Sequence, residues 1–271
     1  MRNQVLTLCV VALLAGPVLA QGSDLGVTVD ATWVSKYIWR GFDMLDDKAA
    51  LQPSIDLDFW GTGLYFNAWG SWAGSGGSTS FSTVNREEWR FTLGYKGSTM
   101  EGDPGQVNYA LNWVSYTFPD EPTKARDRQE FNLDLSWPRL LGAGMTPHYQ
   151  LIYTTPTRGV PIARVVRAKG EPDALMREAG FLHVFGLTYD APLSGPVQKL
   201  SFSADVVYND GAYGKDVDHD WSHVVWGVAA PMRCPWTGGL FTPALYYQTS
   251  MDDSVNKNDE FWTGLSYTYK F

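Results

Sequence analysis

About twelve stretches of this chain alternate apolar and polar residues, and none of it sustains a helical period. That repeat is the strongest constraint on its fold. A period of two puts apolar side chains on one face of a strand and polar ones on the other. The clearest case sets Trp89, Phe91, Leu93 and Tyr95 against Glu88, Arg90, Thr92 and Lys96. The first stretch sets Val27, Val29, Ala31 and Trp33 against Thr28, Asp30 and Thr32. The second sets Pro53, Ile55, Leu57 and Phe59 against Gln52, Ser54, Asp56 and Asp58. Another sets Phe131, Leu133, Leu135 and Trp137 against Glu130, Asn132, Asp134 and Ser136. Each stretch runs to about 9–12 residues, near the roughly 9–11 of a tilted membrane strand. Soluble strands more often have about 5 or 6. The pattern predicts an all-β chain, a single antiparallel transmembrane β-barrel of about twelve strands. The competing architecture is a soluble β-sandwich, or two of them stacked.

The connections are of two kinds. Those over 60–63, 97–105, 138–145, 190–198 and 231–239 are short and rich in Gly and Pro. Those over 42–50, 74–85, 119–127, 156–177, 210–220 and 250–258 are longer or more charged. Short periplasmic turns alternating with longer outer loops are the asymmetry of an outer-membrane barrel. An even strand count returns both chain ends to the periplasm.

The N-terminus agrees. Arg2 precedes an apolar run over 5–15, and Val18, Leu19 and Ala20 offer a small-residue cleavage site. Residues 1–20 therefore read as a secretory signal peptide and 21–271 as one barrel domain. Outside that leader no stretch approaches the roughly 18 apolar residues of a spanning helix. Cleavage would remove Cys9 and leave Cys234, too few for an internal disulfide or a zinc cluster. A formal net charge of -8 argues against nucleic acid as a partner. The 12 Trp and 14 Tyr suit the aromatic girdles of a membrane protein.

The chain closes on Leu265, Tyr267, Tyr269 and Phe271, alternating with Ser266, Thr268 and Lys270. This ending, with Gly264 before it, resembles the assembly signal of bacterial outer-membrane barrels. The resemblance implies the barrel-assembly machinery as a partner, together with outer-membrane lipid and lipopolysaccharide. Near the start, Ser35, Tyr37, Trp39, Arg40 and Gly41 are followed by Ala50-Leu51-Gln52, Gly63-Leu64-Tyr65 and Trp69-Gly70-Ser71. These residues resemble the TorF family, bacterial proteins classed with the porins. After Arg40-Gly41 that family usually reads Ile-Ser-Gln, where this chain has Phe42, Asp43 and Met44. The resemblance covers the first strands and, more loosely, the last. It implies an outer-membrane barrel with a channel role.

The polar faces carry the candidate function. Parity places Asp30, Lys36 and Arg40 on the first strand, Asp56 and Asp58 on the second, Arg86, Glu88 and Arg90 on the fourth, and Glu130 and Asp134 on the sixth. In a barrel these groups point into the lumen, where charge is tolerated because it is wet or paired. They form either a selectivity lining for small polar solutes or ions, or a salt-bridge network that plugs the bore. The expectation is a passive channel in the bacterial outer membrane, with a non-conducting scaffold barrel as the alternative. A channel of this kind needs no cofactor and no metal.

Other features weigh less. Arg158, Arg164, Arg167, Lys169 and Arg177 make one outer loop basic, most simply as solvated surface. Asp216, Asp218 and Asp220 alternate like calcium ligands but lack the glycine and distal glutamate of an EF-hand. They read better as an acidic mouth, bridged through divalent ions to lipopolysaccharide. His148, His183, His219 and His223 share no motif with a serine nucleophile. Ser222 and His223 are neighbours, yet adjacent strand residues face opposite ways. No enzyme is expected.

Overall fold

The structure, a computed structural model, describes residues 25–74, 87–120, 127–157, 179–213 and 217–271. The leader over 1–20 lies outside the described residues. The strands are β1 (Leu25–Val34), β2 (Ile38–Trp39), β3 (Phe42–Asp43), β4 (Ala50–Phe59), β5 (Leu64–Ala73), β6 (Glu87–Thr99), β7 (Val107–Thr117) and β8 (Arg128–Ser136). They continue with β9 (Met145–Pro156), β10 (Gly180–Pro192), β11 (Lys199–Asp210), β12 (Asp220–Ala229), β13 (Met232–Arg233), β14 (Leu240–Ser250) and β15 (Glu260–Lys270).

Twelve of these form a closed antiparallel ring. Each ring strand pairs with its neighbours in sequence, and the seam is sealed by β1 against β15 and by β12 against β14. Closure leaves no row of unpaired backbone donors and acceptors. The short strand β13 pairs with β14 and bridges to Val197 through Met232, outside the ring, at the end of the barrel that carries the short turns. Strands β2 and β3 form a separate two-stranded sheet.

Alternation sorts the wall as the sequence predicts. Leu51, Leu93, Leu111, Phe131, Trp226 and Leu265 stand exposed on the outer surface. Their sequence neighbours Gln52, Asn132 and Gly264 are buried within the ring. A large apolar exterior around a polar interior inverts the arrangement of a protein that folds in water.

Two departures from strict alternation shape the interior. The first wall strand ends at Val34, so Lys36 and Arg40 do not stand on it. The chain there turns into the bore as a hairpin, β2 to β3, with Trp39 opposite Phe42. Its tip is the pair Arg40 (φ 53) and Gly41 (φ 93). Two consecutive positive φ values make the two-residue turn whose twist matches a β-hairpin. This hairpin carries Tyr37, Trp39, Phe42, Met44 and Leu45 into contact with Tyr116, Phe118, Ile152, Leu182 and Tyr213. The buried apolar core therefore sits inside the barrel, toward the long loops.

The second departure is a bulge in β12. Val207 pairs with His223 and Tyr208 with Trp221, leaving Ser222 as the extra residue. A bulge shifts parity by one. Ser222 and His223 are both buried, 1% and 2% exposed, and Ser222 Oγ lies 2.8 Å from His223 Nδ1. Simple alternation, which sets this pair on opposite faces, fails here.

Candidate pore lumen

The lumen has two compartments, divided by the hairpin. On the long-loop side the hairpin is packed among three arginines and a ring of aromatics. The Arg90 guanidinium lies 4.2 Å from the Trp69 ring centre and 4.8 Å from that of Tyr116, and its Nε donates to Glu88 at 2.6 Å. Arg128, 1% exposed, lies 4.0 Å from the Trp39 ring and 5.1 Å from that of Tyr213. Guanidinium over an aromatic face is favourable, and more so where water is excluded. Glu130 is fully buried and accepts from Tyr116 Oη at 2.7 Å, Tyr213 Oη at 3.3 Å and Arg40 Nη2 at 3.5 Å. A buried carboxylate held by this many donors remains tolerable as an anion.

The hairpin tip spans the bore from wall to wall. On one side Arg40 Nη1 donates to Gln150 Oε1 on β9 at 3.2 Å. On the other, the Gly41 carbonyl accepts from Gln248 Nε2 on β14 at 2.9 Å and from Asn256 Nδ2 at 3.1 Å. Gly41 has no room for a side chain: a Cβ there would come within 2.7 Å of His223 Nδ1 and of Val255 Cγ1. At the neck, Lys36 bridges Asp47 and Glu260, the latter at 2.8 Å. Asp43, Asp47 and Glu260 are the described residues grouped closely enough to hold a metal, with ligand atoms within 4.8 Å of one another. The Lys36 ammonium already contacts two of them. Burial pushes the Asp43 carboxyl above its ordinary range.

On the short-turn side of the tip lies a cavity of about 850 Å³, bordered by Arg40, Lys96, Asp134, His148, Gln150 and Asp205 and by apolar side chains such as Val184, Val207 and Trp262. A chain of hydrogen bonds runs along one wall. Tyr65 donates to Asn112, Asn112 Nδ2 to Asp134 at 2.6 Å, and Gln150 to the other oxygen of Asp134. Farther round, His148 Nε2 lies 2.7 Å from Asp205 Oδ1. These two sit on β9 and β11 with Gly186 of β10 between them. Any Cβ at Gly186 would collide with both side chains, so the glycine is what lets them meet.

The residues singled out in the sequence thus divide. Glu88, Arg90, Glu130 and Arg40 meet in the packed compartment, and Lys36 at its neck. Asp134 borders the cavity. Asp56 accepts from Asn67 Nδ2 at 2.9 Å, and Asp58 pairs with Lys96 at 3.0 Å toward the short-turn rim. Arg86, the basic loop residues from Arg158 to Arg177, and Asp216 lie outside the described residues. On the closing strand Gly264 is buried, and a Cβ there would approach the Tyr246 ring at 3.4 Å. Tyr267 donates to Thr237 Oγ1 at 2.6 Å, and the Tyr269 and Phe271 rings are 4.8 Å apart. Phe271 N donates to Val27 O at 2.9 Å.

Several residues of the site escaped the sequence reading. Arg128 shares parity with Glu130 and Asp134 and was recoverable by extending that strand. Tyr116 shares the polar parity of Asn112. Tyr213 carried no signal at all. Ser222 Oγ is the hydrogen-bond partner shown for the His223 ring among the described residues.

A protein family described as "Bacterial protein of unknown function (Gcw_chp)" matches residues 20–144. No curated protein matches the chain in sequence. Among solved structures, the NanC porin aligns with a TM-score of 0.50 at 10% identity, covering 90% of this chain and 100% of that one. The KdgM porin aligns with a TM-score of 0.49 at 8% identity, covering 89% and 99%. At such identities the likeness concerns the fold alone, and the chain is an all-β, closed, twelve-strand barrel that resembles outer-membrane porins.

Proposed function

We propose that this protein is a bacterial outer-membrane channel that passes small polar solutes or ions, with the inward hairpin as its constriction. The observation that carries the reading is the cavity of about 850 Å³, bordered by charged side chains of both signs, inside a barrel whose exterior is apolar. A bore lined by amides, carboxylates and hydroxyls lets solutes exchange hydration for wall contacts at little cost. The exterior of Leu93, Leu111, Phe131 and Leu265 suits lipid. Periplasmic short turns leave the long loops facing lipopolysaccharide. In this reading the closing strand serves the assembly machinery, so removal of Phe271 lowers the yield of membrane-inserted protein. No catalytic step and no cofactor enter it.

The rival is a non-conducting scaffold barrel. The burial of Arg128, Glu130 and Trp39 across the bore favours it. Planar bilayers separate the two. Wild-type protein should give discrete conductance steps, and replacing residues 38–43 by a Gly/Ser hairpin of equal length should enlarge them. Sustained silence from both proteins would establish the scaffold.

A further inference from the structure

We infer that the lumen selects cations over anions, an inference that rests on the channel reading above. The charges of this barrel are segregated along its axis. Among the described residues Arg90 and Arg128 lie in the packed compartment, and Arg40, which also borders the cavity, turns its guanidinium to Glu130 at 3.5 Å. There Glu88 and Glu130 and the faces of Trp39, Trp69, Tyr116 and Tyr213 take up their charge. An arginine turned onto a ring and a buried glutamate offers little to a passing anion.

The wetter compartment has the opposite balance. Its lysines stand near the rim, where Lys96 pairs with Asp58 at 3.0 Å, Lys199 pairs with Asp190 at 2.6 Å, and Lys270 is exposed near Asp58. His148 is engaged by Asp205. Deeper in the bore, Asp30, Asp56 and Asp134 carry no ion pair among the described residues. Asp30 accepts from Thr32 and Thr268, each at 2.6 Å. Asp56 accepts from Asn67, and Asp134 from Asn112 and Gln150. Neutral donors hold these carboxylates in place without cancelling their charge. They stand on the neighbouring strands β1 and β4 and on β8, nearly opposite β1 in the ring, so the field they set up is spread round the bore rather than gathered at a point.

A second observation points the same way. Gln248 borders the cavity and is fully buried, its amide nitrogen fixed on the Gly41 carbonyl. Its Oε1 has no hydrogen-bond partner. Asn132, 8% exposed on the strand that bears Asp134, likewise has an unpartnered Oδ1. Buried carbonyl oxygens without donors are costly unless something positive visits them. The cavity thus brings the Asp134 carboxylate and the vacant Gln248 oxygen to one space, a lining through which a small cation moves by exchanging its hydration shell.

The test is the reversal potential of the purified full-length protein in a planar bilayer across a KCl gradient. Wild-type protein should reverse near the potassium equilibrium potential. The double variant Asp56→Asn, Asp134→Asn should reverse markedly closer to zero, with its melting temperature in detergent little changed. Conductance with reversal on the chloride side, or a reversal potential unmoved by the double variant, would overturn the inference and leave the channel reading standing. Silence from wild-type protein and from the hairpin-replaced variant would overturn both.

Discussion

The two halves of the bore use the same kinds of residue to opposite ends. In the packed half Arg128 and Glu130 are stripped of water, Arg40 is largely so, and all three depend on carboxylate and aromatic neighbours. In the open half Asp134, Asp56 and Lys96 keep contact with solvent and depend on neutral donors or loose pairs. Apart from Arg40, which the hairpin carries, both sets lie on the inward parity of wall strands, and Arg128, Glu130 and Asp134 share β8. Charge on an inward face is therefore structural or functional according to whether something fills the bore at that height. Here the hairpin does so.

That contrast can be broken by substitution. The largest effect is expected at Glu130→Ala, which removes the carboxylate that Arg40 pairs with and that Tyr116 and Tyr213 donate to. Removing one partner of a buried ion pair costs about 3–5 kcal/mol. The barrel should lose that much in urea unfolding from detergent, whereas Asp134→Asn should lose about 1 kcal/mol or less because its site is wet. Equal losses would erase the distinction between the halves. Next, Gly41→Ala forces a Cβ against His223 and Val255 at a positive φ. We expect destabilisation of about 1–3 kcal/mol, together with larger conductance steps as the tip shifts from the wall. A smaller effect belongs to Gly186→Ala, which separates His148 from Asp205 at a cost of about 1–2 kcal/mol. Proton NMR of the His148 ring would report the lost contact. The smallest concerns Lys96→Gln. Its pair with Asp58 is roughly half-exposed, 54% and 36% for the two side chains. Such pairs contribute about 0–1 kcal/mol, so its unfolding midpoint should barely move.

The sequence makes the wall legible and the filling illegible, for a physical reason. Alternation reports which side of a strand faces out, and β12 shifts its parity at the Ser222 bulge. It cannot report what an apolar side chain faces. Trp33 and Trp39 have the same parity, yet Trp33 is 44% exposed on the exterior and Trp39 is 7% exposed inside the bore. The odd-numbered run through Trp33, Tyr37 and Trp39 therefore reads as one long strand, and Arg40 reads as a wall residue. The signal that breaks this reading is the Arg40-Gly41 pair. It is a two-residue turn in disguise, because arginine is an unusual choice for positive φ. Ser222 was hidden for a related reason: one inserted residue reverses parity without altering composition.

The position of the hairpin also constrains how this protein can be made. It directly follows the first wall strand, yet its anchors arrive last. Ser35 exchanges hydrogen bonds with Thr263, both at 2.9 Å. Lys36 reaches Glu260 across 224 positions of chain, and Gly41 waits for Gln248 and Asn256. Contacts so distant in sequence form late and slowly. The hairpin must thus remain unsecured until β14 and β15 are synthesised and the seam between β1 and β15 is drawn together. Filling of the bore and closing of the wall become one event, and a chain that sealed with its hairpin outside would have to reopen before it could finish folding.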